Sequence, residues 1–315
     1  MSRDLLSLGI DTSNYKTSLA VVDCEGEVLY NFQEFLSVKH GERGLRQSDA
    51  FFQHVQKLPE AVEAAFADEN IRNHIGAVSV SSRPRPVEGS YMPVFTAGLG
   101  YARAIAATLG LPLQQFSHQE GHIEAIRHYT EFKDVAPLIC FHFSGGTTEA
   151  LLVDENNHIE IVGGSKDIAY GQVLDRVGVA LGFDFPCGEA LDGIAKSASG
   201  HRNRLTEIKV KDGYVNLSGI ETQCQRIMEE CPQEELICEL FEKLCKSIAD
   251  MTLQLSNKFD INNFIYAGGV SCSQFMRSYL SEHMYKDVNV VFGKPQLSAD
   301  NAIGTALLGG RKIWL

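Results

Sequence analysis

The stretch that decides the fold is LLSLGIDTSNYKTSLAVVD, from Leu5 to Asp23. Two apolar runs flank a polar turn, a pattern that predicts a strand, a tight loop and a second strand. The segment from Pro137 to Asp154, PLICFHFSGGTTEALLVD, has the same layout. Two such hairpins, about 130 residues apart, indicate an internal duplication in which each hairpin begins one lobe.

The rest of the chain alternates helices with strands. The pattern predicts helices over 50–69, 96–109, 118–129, 169–181, 189–199, 236–259, 273–283 and 299–312, and strands over 75–81, 263–267 and 288–292. This alternation predicts an α/β protein with a lobe boundary near 131–137. We therefore expect an N-terminal lobe over 1–135 and a C-terminal lobe over 136–315, with the last helix packing back on the first lobe.

Composition narrows the possible classes of protein. The 315 residues are 44% hydrophobic and 22% charged, which is an ordinary globular balance. The net charge of −12 argues against a protein whose whole surface binds a nucleic-acid backbone, but it does not exclude a local basic patch. No stretch approaches the roughly 18 apolar residues of a membrane span. The N-terminus is typical of a first strand and not of a signal peptide, so we expect a cytoplasmic protein.

Both hairpin turns carry groups that suit phosphate oxygens. The first turn offers Thr12, Ser13, Asn14 and Thr17, and the second offers Ser144, Gly145, Gly146, Thr147 and Thr148. Hairpin loops prefer such residues anyway, so one turn alone indicates little. Two turns at corresponding places favour phosphate binding between the lobes, because their backbone N–H groups and hydroxyls can donate to the ligand.

A third glycine-rich element follows the strand predicted at 263–267. In Tyr266-Ala267-Gly268-Gly269-Val270-Ser271, the strand runs into paired glycines and then a helix. The absence of Cβ atoms lets a flat ligand lie close to the backbone. Together with the two hairpins, this element is typical of the phosphate, phosphate and adenosine arrangement of actin-like ATPases.

The sharpest local motif is His118-Gln119-Glu120-Gly121-His122. Residues four apart share one face of a helix, so both imidazoles can reach one zinc or iron ion. Two ordinary helix histidines would give the same spacing. The protease motif H-E-x-x-H needs glutamate directly after the first histidine, where this chain has Gln119, so the pattern disfavours a zinc protease.

In combination these motifs resemble the tRNA threonylcarbamoyladenosine synthase family, TsaD in bacteria, once called glycoproteases. The similarity runs from about Leu8 to Gly309. It is carried by L-G-I-D-T-S, H-Q-E-G-H, F-S-G-G-T-T-E, D-I-A-Y-G-Q-V-L-D-R, A-G-G-V-S and S-A-D-N-A, in this order. The resemblance implies a two-lobed actin-like ATPase fold with a nucleotide cleft between the lobes.

The resemblance also implies roles for individual residues. A divalent metal (iron, zinc or magnesium) would be held by His118, His122 and Asp300. The nucleotide, ATP or threonylcarbamoyl-adenylate, would contact Ser144, Gly145, Gly146, Thr147, Thr148, Asp167, Gly171, Gly188, Asp192, Gly268, Gly269 and Ser273. Asp167 and Asp192 would lie near the ribose or adenine, although each could instead be a helix cap or a solvated carboxylate.

Three departures from the family pattern lie at the expected ligand. The family's C-D-E-T is replaced by Asn14-Tyr15-Lys16-Thr17, so a tyrosine and a lysine stand where carboxylates are usual. A glycine-proline-glycine stretch is replaced by Ser82-Arg83-Pro84-Arg85-Pro86, whose arginines could serve an anionic substrate or form a solvated loop. Ser273 stands where the family has asparagine.

The resemblance implies transfer of threonylcarbamoyl from its adenylate to N6 of a tRNA adenosine, with help from partner proteins. The candidate catalytic residues are Asp11, Tyr15 and Lys16. Because a lysine ammonium cannot act as a base unless burial lowers its pKa, we expect the protein to transfer threonylcarbamoyl to tRNA poorly, or only with partners. Alternatively, the loop shifts by one residue, Asp11 does the work and the ordinary reaction continues. Two alternatives are a divergent paralogue that modifies another acceptor and a non-catalytic nucleotide-dependent scaffold. A small-molecule kinase fits less well, because kinases do not need the histidine pair.

Overall fold

The computed structural model describes residues 4–13, 16–37, 45–198, 203–294, 297 and 302–314. Its strands are β1 (Leu6–Ser13), β2 (Lys16–Val22), β3 (Val28–Phe35), β4 (Ile75–Arg83), β5 (Leu113–Ser117), β6 (Leu138–Phe143), β7 (Thr148–Val153), β8 (Ile159–Ser165), β9 (Tyr214–Val215), β10 (Asn263–Ala267) and β11 (Asn289–Phe292).

The helices are α1 (Gln47–Ala67), α2 (Glu69–His74), α3 (Phe95–Leu109), α4 (His118–Arg127), α5 (Tyr170–Ala180), α6 (Gly188–Ser197), α7 (Ser218–Ile227), α8 (Gln233–Phe259), α9 (Gln274–His283) and α10 (Ile303–Trp314), with a 3-10 turn at Gly269–Cys272. The chain forms two compact units. The first comprises 1–129 and 299–315, and the second comprises 130–298. No helix in the described part of the chain has both the length and the apolar character to cross a membrane.

The first unit is built on a five-stranded sheet in the order β3-β2-β1-β4-β5. Strands β1 to β3 are antiparallel, whereas β4 and β5 run parallel to β1. The apolar faces of α1 and α3 cover one side, where Leu8, Ile10 and Leu58 are fully buried. Helix α10 packs close on the other side, since a Cβ on Gly9 would lie 2.5 Å from the carbonyl oxygen of Ala302.

The second unit repeats this topology. Its sheet has the order β11-β10-β6-β7-β8-β9. Strands β6, β7 and β8 form an antiparallel meander, and β10 and β11 run parallel to β6. Apart from the short edge strand β9, the order and directions match those of the first unit. The duplication predicted from the two hairpins is therefore confirmed.

Two buried tyrosines bond to helix α8 through their hydroxyls, Tyr170 from the start of α5 and Tyr266 from strand β10 of the second sheet. The hydroxyl of Tyr170 lies 2.6 Å from the Ser247 hydroxyl, and that of Tyr266 lies 2.6 Å from the Thr252 hydroxyl. Satisfying both phenols inside the core avoids the cost of burying an unpaired polar group. These tyrosines fix the start of α5 and the end of β10, which carry glycines discussed below.

Two sequence predictions need correction. The helix predicted over 50–69 is two helices, because Asp68 leaves helical geometry and accepts a hydrogen bond from the Asn70 N–H at 2.8 Å, which starts α2. The glycines Gly268 and Gly269 lead into a 3-10 turn before α9, instead of entering a helix directly. Of the helix predicted over 299–312, residues 299–301 lie outside the described part of the chain.

Candidate functional site

The start of α4 places two histidines side by side. Ser117 caps the helix: its hydroxyl accepts from the Glu120 N–H at 3.2 Å, and the Glu120 carboxylate accepts from the Ser117 N–H at 2.6 Å. This reciprocal pair fixes the first turn, so His118 and His122 lie one turn apart on the same face. Their Nε2 atoms are 2.9 Å apart.

Asp11 at the end of β1 orients the first of these histidines. Its carboxylate is buried, accepts from the Ser13 N–H at 2.9 Å, and lies 2.7 Å from His118 Nδ1. An ionised carboxylate can only accept hydrogen bonds, so Nδ1 of His118 carries the proton. The Nε2 lone pair of His118 therefore points towards His122. The geometry gives Asp11 the role of a positioning group.

Helix α10 meets α4 between the two histidines. A Cβ on Gly304 would lie 1.8 Å from the carbonyl oxygen of Gly121, and a Cβ on Gly121 would lie 2.8 Å from the Thr305 hydroxyl. Only glycine permits this approach at both positions. The glycine of H-Q-E-G-H thus allows the segment that follows Ala302 to pack against the histidine pair.

The histidine pair fits one divalent metal. Nitrogens 2.9 Å apart subtend roughly 90° at an ion about 2.0–2.1 Å from each. A carboxylate behind one imidazole is the usual outer partner of a metal-bound histidine. Asp300, the third ligand expected from the sequence, lies outside the described residues. Within the described ranges, no group of three or more His, Cys, Asp or Glu side chains could hold an ion.

Lys16 shares a sheet face with Asp11. Asp11 pairs with Ser18 across β1 and β2, and Lys16 is two residues from Ser18, so all three side chains point the same way. The Lys16 ammonium is buried, donates to Gln33 Oε1 at 3.1 Å and lies 4.6 Å from the centroid of the Phe35 ring. Tyr15, the third candidate catalytic residue, lies outside the described residues.

His54 on α1 supports the first hairpin from the opposite face and was not singled out from the sequence. Its side chain is fully buried, and Nδ1 lies 2.7 Å from the Thr17 hydroxyl. Its Nε2 is buried and has no hydrogen-bond partner among the residues that the structure describes. Burial lowers the pKa of His54 to about 4, against the raising effects of the Asp11 charge and the Ser13 backbone. The sequence feature that could have identified His54 is its position in the buried stripe of α1, which also contains Ala50 and Leu58.

In the second unit, the turn after β6 is closed by its own serine. Ser144 Oγ accepts from the Thr147 N–H at 2.9 Å, and the Ser144 N–H donates to the Thr147 carbonyl. Gly145 and Gly146 at the tip are exposed, and a Cβ on either would meet open space. Thr148 Oγ1 accepts from the Tyr170 N–H at 3.1 Å, which ties the turn to the start of α5.

A second glycine pair lies beside this turn. Strands β6 and β10 are parallel neighbours, with Ala267 opposite His142, so their carboxyl ends meet at one edge of the sheet. Gly268 has a φ of 90°, and a Cβ there would lie 2.2 Å from the Phe143 carbonyl oxygen. Gly269 is exposed and open. This edge offers bare backbone suited to a flat ligand or a phosphate.

Asp167, expected near the ribose, caps helix α7. Its carboxylate accepts from the N–H groups of Leu217 at 2.8 Å and Ser218 at 3.0 Å. Burial alone would raise the pKa of Asp167, but the Ser218 hydroxyl and the N–H groups of Leu217, Ser218 and Ile168 hold that pKa well below its usual range. The carboxylate is therefore ionised and fixed at neutral pH.

Asp192 and Ser273 together start helix α9. The Asp192 carboxylate accepts from the N–H groups of Gln274 at 2.9 Å and Phe275 at 3.1 Å, and it contacts the Ser273 hydroxyl. Ser273 Oγ also accepts from the Met276 N–H at 3.0 Å. Gly188 is the first residue of α6, the helix that carries Asp192, and a Cβ there would meet open space. Asp192 and Ser273 thus act as helix caps.

Gly171→Ala should lower affinity for an adenine nucleotide at least about tenfold, a loss of about 1.4 kcal/mol. A Cβ at Gly171 would lie 2.6 Å from Gly145 Cα and 2.7 Å from the Ser144 carbonyl oxygen. These backbone atoms must shift, which would distort the turn. Calorimetric titration with ATP measures the effect. Gly100→Ala, also helical but in open space, should bind as the wild type does; equal affinity for both variants would contradict the assignment.

Comparisons with known proteins identify the family of the chain. A family model described as TsaD, tRNA N6-adenosine threonylcarbamoyltransferase, matches residues 33–307. The tRNA N6-adenosine threonylcarbamoyltransferase of Ligilactobacillus salivarius (strain UCC118) is 27% identical over 318 residues, covering 96% of this chain and 91% of that protein.

Solved structures share the fold. A ROK family glucokinase from Streptomyces griseus, in complex with glucose and AMPPNP, superposes with a TM-score of 0.53 at 15% identity, covering 97% of this chain and 99% of that one. Full-length HypF in its phosphate- and nucleotide-bound form gives 0.64 at 12% identity, covering 98% of this chain and 56% of that one. The predicted actin-like ATPase fold is thereby confirmed. With the family model matching most of its length, the chain belongs to the TsaD family of tRNA N6-adenosine threonylcarbamoyltransferases.

Proposed function

We propose that the protein transfers a threonylcarbamoyl group from its adenylate to N6 of an adenosine in tRNA. The N6 amine attacks the carbamoyl carbon, and a new N–C bond forms. The bond from that carbon to the phosphate oxygen breaks, AMP leaves with the electron pair, and the N6 proton passes to solvent. Because this is acyl transfer from an activated carbonyl, the protein must mainly bind, orient and neutralise charge.

The chain of contacts from Asp11 through His118 to His122 carries this proposal. It is assembled from β1 and α4, whose residues are 107 positions apart, with 2.7 Å and 2.9 Å between successive polar atoms. A buried carboxylate behind paired imidazoles is costly unless the group has a task. Two ordinary surface histidines on α4 would need neither the carboxylate nor the glycine crossing with α10.

His118 and His122 would hold a divalent metal, with Asp300 as the third ligand. The close packing of Gly304 on Gly121 supports this, because it brings the segment that starts two residues after Asp300 to the histidine pair. When bound, such an ion would polarise a phosphate or acyl oxygen of the adenylate. Asp11 would fix the His118 ring so that its Nε2 lone pair is presented to the ion.

The sheet edge of the second unit where β6 and β10 end, which carries Gly145, Gly146, Gly268 and Gly269, would bind the adenylate. Gly145, Gly146 and Gly269 are exposed and carry no side chain, so a phosphate can approach their backbone closely. The caps made by Asp167 and Asp192 would hold α7 and α9 in place beside the nucleotide. Full-length HypF, which shares the fold, is described in a phosphate- and nucleotide-bound form, and this supports a nucleotide as the ligand.

A second candidate is transfer to an acceptor that carries a negative charge. The buried Lys16 ammonium favours it, because this ammonium lies on the same sheet face as Asp11 and its positive charge would stabilise a negative charge on the acceptor. Under this alternative, the adenylate and metal sites are unchanged and only the acceptor differs.

AMP release from threonylcarbamoyl-adenylate, measured with and without unmodified tRNA, separates the two candidates. We expect release to rise at least about tenfold with tRNA, because the acceptor amine completes the reaction. Lys16→Glu restores the charge usual in the family and should increase tRNA-dependent release further, whereas Lys258→Glu, an exposed lysine of the second unit, should not. AMP release that is unchanged by tRNA, and that is lower in Lys16→Glu than in the wild type, would instead support the anionic acceptor.

A further inference from the structure

One arginine of the second unit joins the segments that follow strands β10 and β11. Arg277 lies in the first turn of α9 and donates from Nε to the Ser271 carbonyl and from Nη2 to the Gly293 carbonyl, each at 2.8 Å. Ser271 belongs to the 3-10 turn after β10, and Gly293 directly follows β11. One guanidinium group therefore holds the backbone of two separate segments.

The guanidinium group is well suited to this double contact. Its N–H donors lie in one plane and point in fixed directions, so one side chain can reach two acceptors at once. Its central carbon, Cζ of Arg277, lies 5.0 Å from the centroid of the Phe292 ring. That ring meets the buried Tyr266 ring edge to face, with 5.3 Å between the centroids. The contact with Phe292 thus connects the arginine to the core of the second unit.

The turn that this arginine holds carries the glycine pair at the end of β10. The Ser271 N–H donates to the Gly268 carbonyl at 3.1 Å, and the Ser271 hydroxyl donates to the same oxygen at 2.7 Å. On the side of β11, the Gly293 N–H donates to the Tyr266 carbonyl at 2.9 Å. Each carbonyl that accepts from the arginine therefore belongs to a residue that is itself bonded to the end of β10.

The start of α9 gives the arginine a fixed base. Asp192 caps this helix by accepting from the N–H groups of Gln274 and Phe275. Without the guanidinium group, the 3-10 turn would lose its bond to the first turn of α9 and its link to the end of β11. The exposed backbone at Gly269 could then shift. A displacement of about 1 Å in a group that orients a ligand is enough to weaken its action severalfold or more.

We propose that Arg277 is a positioning residue for the adenylate. It holds the turn 268–272 against the end of β11, so that the backbone at Gly268 and Gly269 stays in the position that a nucleotide can approach. This rests on the proposed function, in which the same sheet edge binds the adenylate. The arginine acts through the turn and sets the affinity for the nucleotide, and it takes no part in the transfer step.

The test is calorimetric titration of the purified protein with ATP. Arg277→Ala should raise Kd at least about tenfold, with the same number of sites per molecule as the wild type. Arg277→Lys should recover only part of the affinity, because an ammonium on a flexible chain cannot hold both carbonyls in fixed directions. With threonylcarbamoyl-adenylate as substrate, KM should rise in Arg277→Ala while kcat changes less than about twofold, since only ground-state binding is lost.

The matched control is Arg204→Ala, because Arg204 is also partly buried and donates to the Glu235 carboxylate at 2.8 Å. This variant should keep the wild-type Kd for ATP. A role of Arg277 in folding alone would reduce the number of binding sites and leave Kd unchanged, and that result would overturn the inference. Equal increases of Kd in Arg277→Ala and Arg204→Ala would also overturn it. In both cases the proposed function would stand, whereas a wild-type protein that neither binds ATP nor modifies tRNA would overturn both.

Discussion

Replacing His118 or His122 with alanine is expected to lower threonylcarbamoyl transfer at least about 100-fold. Each variant removes one of two imidazole nitrogens that lie 2.9 Å apart and would share an ion. Asp11→Asn should cost less, about tenfold, because the amide oxygen can still accept from His118 Nδ1 while the charge is lost. Initial rates with saturating adenylate and tRNA measure these effects, and elemental analysis measures bound metal in the same preparations.

The matched control is His158→Ala, since His158 is 83% exposed and lies in the second unit. It should keep wild-type activity and metal content. Loss of activity in His118→Ala with bound metal unchanged would contradict the metal assignment. Activity within about threefold of the wild type in both histidine variants, a difference below about 1 kcal/mol, would contradict the site itself.

The largest effect on stability is expected from His54. Burial lowers its folded-state pKa to about 4, whereas an unfolded histidine titrates near 6.5. As pH falls through about 6.5, the unfolded state binds the proton first, so the folded state loses relative stability until the pH reaches about 4. A shift of this size corresponds to a loss on the order of 3 kcal/mol in the free energy of unfolding. Above about pH 7 the group contributes nothing to the pH dependence.

His54→Gln isolates this effect, because glutamine can still bond to the Thr17 hydroxyl but does not titrate. Urea unfolding at pH 7, 5.5 and 4.5 should show a flatter pH dependence in the variant than in the wild type. His158→Gln, at an exposed position, should follow the wild type. The low pKa of Asp167 affects stability in a different pH range, because its contribution to the free energy of unfolding is lost only below about pH 4. Parallel curves for wild type and His54→Gln would show that His54 is not buried as described.

Structural features that depend on neighbouring residues could be predicted from the sequence. The hairpins around Asp11 and Ser144 were predicted because apolar runs flank polar turns, and both are present. Gly110 ends α3 in the left-handed conformation, as expected of a glycine after the last helical turn. Ser117 caps α4 because a hydroxyl there can satisfy a free N–H group. The two caps depend on residues fewer than about five positions apart, and each hairpin pairs two consecutive runs of the chain.

Contacts between residues far apart in the chain could not be predicted from the periodicity of the apolar residues. The contact between Asp11 and His118 exists because β1 and β4 are parallel neighbours and β5 delivers α4 to the same edge. Helix α7 was missed because only Ile220 and Cys224 on it are buried, and its start is fixed by Asp167, some 50 residues earlier. Such tertiary contacts leave no regular spacing in the sequence.

The edge strands and the role of His54 were missed for a related reason. Strand β3 is only partly buried and is held by its pairing with β2, so its apolar pattern is weak. His54 occupies a core position in the stripe of α1, where a histidine ordinarily indicates nothing beyond packing. Its partner, Thr17, is 37 residues away. Only the structure shows that this buried imidazole supports the hairpin that carries Asp11.

The central claim is transfer of threonylcarbamoyl to tRNA, and mass spectrometry of digested tRNA tests it most directly. Unmodified tRNA is incubated with threonylcarbamoyl-adenylate and the purified protein, and its nucleosides are then separated and weighed. We predict that threonylcarbamoyladenosine accumulates with the wild-type protein and with His158→Ala, and that it is absent with His118→Ala. Adenylate consumed without any threonylcarbamoyladenosine in the tRNA, under conditions where the protein binds both ligands, would contradict the claim.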